Sequence, residues 1–127
     1  FDLKTALADA ETLTPEREVL VRRNLWFHSN DHLRLNRDGK PLLDKPRMSD
    51  DEARQNMLAL LALVEQGANS PVTEKGELLR ELGRFDEAIA SLIIIDGDFK
   101  EQADLIASFA RSGDAVVREI WRSKFDY

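Results

Sequence analysis

Two histidines, His28 and His32, stand one helical turn apart with Asp31 between them. An i, i+4 spacing puts both imidazoles on one helix face, as metal-binding pairs often are. The glutamate that zinc proteases keep beside the first histidine is missing here, and no third ligand follows downstream. His28 and His32 are therefore weak metal candidates, and with Asp31 they define one alternative reading, a small metal-binding protein or enzyme. Asn36, Asp38 and Gly39 have part of a calcium-loop pattern, but Arg34 would hold its first ligand position and Lys45 its last. Calcium is rejected at that loop. Asp86, Glu87, Asp96, Asp98, Glu101 and Asp104 form an acidic neighbourhood around two helix junctions. Several lie near helix N-termini, where they stabilise the dipole, and their spacing creates no cleft for paired-carboxylate catalysis. There is no glycine-rich phosphate loop, no nucleophile elbow and no thiol. The expectation is a protein that is not an enzyme and carries no cofactor.

Residues suited to binding are easier to find. Asn30, Asp31 and Arg34 follow the aromatics Trp26 and Phe27. They form either a polar cluster that fixes the following loop or a recognition patch for a partner's polar group. Between Arg17 and Arg47 eight Lys/Arg face four acids, a local +4 within a chain of net charge −6, so the remainder carries −10. Arg37 and Lys40 belong to this basic stretch, which would suit an acidic partner, whereas the overall charge argues against general nucleic-acid binding.

The residues that must position these groups are those of helices. Apolar content is 43% and charged content 33%, a balance suited to helices with one buried face and a charged outer one. At 127 residues the chain is long enough for a single all-helical domain with a real core. The fold class expected is all-α, a compact bundle of six to seven helices in antiparallel hairpins. Lack of cysteine fits a reducing cytoplasm, and no apolar run approaches the roughly 18 to 20 residues that span a bilayer. The chain opens at Phe1 rather than methionine, the pattern of a processed product or a piece of a longer chain.

In order, Phe1, Leu3, Ala6, Leu7 and Ala10 predict a short helix within 1–12. Thr14-Pro15 predicts the start of a second helix running to about Asp31, with Val19, Leu20, Arg23, Trp26, Phe27 and Asn30 on its broad inner face. Residues 35–48, with Asp38-Gly39, Pro41 and Pro46, read as a long loop anchored by Leu42, Leu43 and Met48. Ser49 and Glu52 form a capping box for a third helix, with Ala53, Met57, Leu60, Leu61 and Val64 turned inward and Gly67 as its stop. A helical hairpin follows at about 72–82 and 85–95, turning at Gly83, and a further helix covers 99–111 with Phe99 inward and Asp98 as its cap. Asp114 caps a last helix on which Val116, Val117, Ile120 and Trp121 pack inward, so 49–127 is a run of hairpins.

Gly83-Arg84-Phe85-Asp86-Glu87-Ala88-Ile89, with Gly76 and Leu79 upstream, resembles the tetratricopeptide repeat. The resemblance covers about 25 residues, 72–95, and implies two helices in close approach. Lys75 and Val72 depart from the repeat's usual leucine and tryptophan. A shifted second unit puts Arg118 and Glu119 at the small and apolar positions. A true array needs about three units, so one degenerate repeat within a helical domain is implied. The chain also resembles small bacterial proteins with such a repeat in the C-terminal half. By this resemblance the function is protein–protein interaction, an adaptor binding a partner protein or peptide on the first helix of the hairpin, at Thr73, Glu77, Arg80 and Glu81. The alternative within binding is an immunity- or chaperone-type bacterial protein that uses the basic 17–47 region. Homo-oligomerisation is left open, and neither nucleic acid nor membrane is expected as a partner.

Overall fold

The computed structural model describes residues 13–29 and 49–117. Among them every regular element is helical: α1 Pro15–Ser29, α2 Asp50–Glu65, α3 Glu74–Glu81, α4 Phe85–Leu92, a 3-10 turn Gly97–Phe99 and α5 Lys100–Arg111. The expected helix within 1–12 and loop 35–48 lie outside the described residues, as do Ile120 and Trp121. The chain divides into two compact units, 1–69 and 70–127.

In the first unit α1 packs on α2. Thr14 Oγ1 accepts the Arg17 N–H at 3.3 Å, and Ser49 and Glu52 complete the reciprocal capping box that starts α2. Val19, Leu25 and Trp26 of α1 and Leu60 and Leu61 of α2 are buried, and the Trp26 and Phe27 rings stack at 5.3 Å. Leu20, expected inward, is exposed, whereas Leu25 is buried. Asn56 is buried in what reads as an apolar face: its amide donates to the Arg22 carbonyl at 2.9 Å and its oxygen accepts from Arg22 at 3.3 Å.

In the second unit α3 packs on α4 and α5, and α4 on α5. Leu78, Leu79 and Leu82, then Ala88 and Leu92, then Ala103, Ile106, Ala107 and Ala110 are buried. A Cβ added at Gly76 would meet Leu92 Cγ and Cδ2 at 2.4 Å, so only glycine permits this approach of α3 and α4. Gly83 takes φ +79° and closes α3 with two bonds, Arg84 N–H to the Leu79 carbonyl at 2.8 Å and Gly83 N–H to that of Arg80 at 3.0 Å. These are the paired bonds of the Schellman stop, and they recur at the ends of α2 and α5. The end of α4 differs. It stops at Leu92, three residues short of expectation, at the run Ile93-Ile94-Ile95, with the Ile95 N–H returning to the Leu92 carbonyl at 3.1 Å. No isoleucine supplies the left-handed stop, and Ile93 and Ile94 are left in water.

Candidate functional site

Arg80 of the second unit makes four side-chain hydrogen bonds. Its Nε donates to Glu77 Oε1 at 2.7 Å and its Nη2 to Glu77 Oε2 at 2.8 Å. The spacing i, i+3 on α3 makes this bidentate fork, which an arginine forms and a lysine does not. The remaining arm, Nη1, donates to the main-chain carbonyls of Asp114 at 2.7 Å and Val116 at 2.8 Å. The Phe109 ring of α5 lies 5.5 Å from the guanidinium carbon, in cation–π range. The whole side chain is buried, 0% exposed.

Burial works to lower the Arg80 pKa, but the Glu77 carboxylate, helped by Glu81 and Asp114, outweighs it and holds the value above the usual one. The guanidinium is thus a permanent charge that ties α3 to the segment leaving α5. Asp114 turns that segment, its Oδ1 accepting the Val116 N–H at 2.9 Å. Val116, expected inward on a last helix, is 59% exposed and lies in no helix, because its carbonyl is drawn to Arg80 while its side chain faces out.

The residues expected on the binding face of α3 therefore divide. Thr73, Glu77 and Arg80 are buried and Glu81 is half-buried. The Thr73 hydroxyl donates to Gln102 Oε1 of α5 at 3.0 Å. The open polar face expected there is an internal seam, since α3 is covered on more than its leucine stripe. His28 is exposed near the end of α1. Asn30, Asp31, His32, Arg34, Arg37 and Lys40 lie outside the described residues. Among the described residues no three side chains of metal-binding type are grouped to hold an ion. No described helix is long and apolar enough to cross a membrane.

The exposed chemistry of the second unit lies elsewhere. Ile93, Ile94 and Phe99 are 60, 80 and 45% exposed, and Asp96, Asp98 and Glu101 beside them are exposed too. Phe99, expected inward, lies in the 3-10 turn that precedes α5, so it misses the register that buries Ala103 and Ile106. At the other end of α4, Arg84 pairs with Glu87, whose carboxyl is held below its ordinary value by that hydrogen bond. The sequence marked these acids only as dipole partners. The signal it did offer was the isoleucine run, which has no glycine to end a helix.

Comparison of the chain with protein-family models, curated proteins and solved structures finds no match.

Proposed function

We propose that this chain is a protein–protein recognition domain, an adaptor whose partner lands on the helical hairpins of its second unit. The observation that carries the reading is the contrast within that unit. Its buried polar groups are spent on internal bonds, while large apolar side chains stand in water on the segment joining α4 to α5. Contiguous exposed apolar residues rimmed by polar ones mark interaction surfaces. The approach of α3 to α4 at Gly76 and the turn at Gly83 support a tetratricopeptide-like character for the hairpin, one unit in a bundle of six to seven helices.

The test is photo-crosslinking in the source cells from two exposed alanines, Ala90 on α4 and Ala62 on α2. One dominant protein adduct from Ala90, and none from Ala62, is expected. An adduct from Ala62 alone would move recognition to the first unit. No adduct from either would end the proposal.

A further inference from the structure

The segment between α4 and α5 has a composition that neither helix ending nor core packing explains. The ends of α2, α3 and α5 carry a glycine with positive φ, whereas α4 ends on three isoleucines. The first two are largely exposed, and Phe99 follows half-exposed five residues on. Four of the eight large apolar side chains exposed among the described residues, Ile93, Ile94, Phe99 and Leu105, fall within 93–105.

The charge of this stretch is mostly negative. Asp96, Asp98 and Glu101 are exposed, and Lys100, the cation in this stretch, is engaged by Asp104 at 3.0 Å. Because α4 and α5 pack side by side, their connecting segment sits at one end of the pair. Ile93, Ile94 and Phe99 and the acids Asp96, Asp98 and Glu101 therefore share that end.

We propose that this end of the α4–α5 pair, residues 93–101, docks a cationic segment of another protein that carries apolar side chains between its lysines and arginines. Apolar contact with Ile93, Ile94 and Phe99 would supply the affinity, and Asp96, Asp98 and Glu101 the selection for positive charge. The same acids disfavour the other occupants. An anionic bilayer or a nucleic acid meets charge of its own sign. A second copy placed by a two-fold axis would set these carboxylates against their equivalents. The inference rests on the recognition reading above and gives it a place and a partner chemistry.

The test uses the full chain and three labelled synthetic peptides, followed by fluorescence anisotropy. One has leucines at helical spacing among lysines, the second has glutamates for the lysines, and the third has serines for the leucines. The first binds, and the other two bind at least about tenfold more weakly. Ile94→Ser, and separately Asp96→Asn with Glu101→Gln, each weaken the first peptide about tenfold while helicity by circular dichroism is unchanged. Asp51→Asn with Glu65→Gln, which removes as much charge from α2, leaves it unchanged. Equal loss in that α2 variant, or no loss in Ile94→Ser, overturns the proposal, as does a dimer in sedimentation equilibrium that Ile94→Ser dissolves. Repeating the Ala90 crosslink in the Ile94→Ser chain separates the two claims. An adduct that survives keeps the recognition reading and discards this location, and an adduct that is lost supports both.

Discussion

Arg80 shows how one side chain can look like a contact for others and serve as a tie within. The i, i+3 spacing that pairs it with Glu77 is written in the sequence, although both were expected as partner contacts. The burial of Arg80 is not, because the groups that cover and bind it, Phe109 and the carbonyls of Asp114 and Val116, are about thirty residues away in sequence. Removing one partner of a buried pair leaves the other charge uncompensated, a loss of about 3–5 kcal/mol. Arg80→Met is expected to lower unfolding stability by that order in urea titration. Arg80→Lys is expected to lower it as well, since three donors on a single nitrogen cannot reproduce the four bonds that the guanidinium makes from three. The double variant Glu77→Leu/Arg80→Met should be less destabilised than Arg80→Met, because no buried charge is orphaned. A double variant worse than Arg80→Met would deny that Glu77 is the buried charge Arg80 compensates.

At the scale of elements the hairpin α3–α4 depends on one missing methyl group. A Cβ at Gly76 would overlap Leu92, itself fully buried, so either the leucine leaves its rotamer or α4 moves away. Gly76→Ala is expected to cost about 1–3 kcal/mol, as overpacking does, despite the better helix propensity of alanine. Leu92→Ala opens room at the same place. The pair Gly76→Ala/Leu92→Ala should then be more stable than the sum of the two losses predicts, as measured by denaturant midpoints. Helix starts and stops written in local chemistry were legible: Thr14-Pro15, the Ser49–Glu52 box and the glycines Gly67 and Gly83. The end of α4 was not, since isoleucines at 93–95 continue the apolar run that the helix uses. Nor was the outward turn of Leu20, which depends on which neighbour its helix meets, or that of Phe99, which depends on the 3-10 turn ahead of α5.

At the scale of the whole molecule the all-α class followed from composition and period, while the proposed docking surface required knowing which apolar residues were left over. Charge links the two. Residues 70–117 hold ten acids against five bases, and the acids of 86–104 are all exposed. A field of that sign acts at a distance, on the approach of a cation, and is screened by salt over about 10 Å at 0.1 M. Contact with Ile94 acts only after arrival. The two contributions should therefore separate in stopped-flow kinetics with the lysine–leucine peptide. Raising salt from about 50 mM to about 300 mM is expected to slow association about tenfold, with little effect on dissociation. Ile94→Ser should do the reverse, speeding dissociation about tenfold with association nearly intact. If salt instead acts on dissociation, and Ile94→Ser on association, then the acids are in direct contact and the isoleucine is not. In that case residues 93–101 would hold the peptide by ion pairs alone.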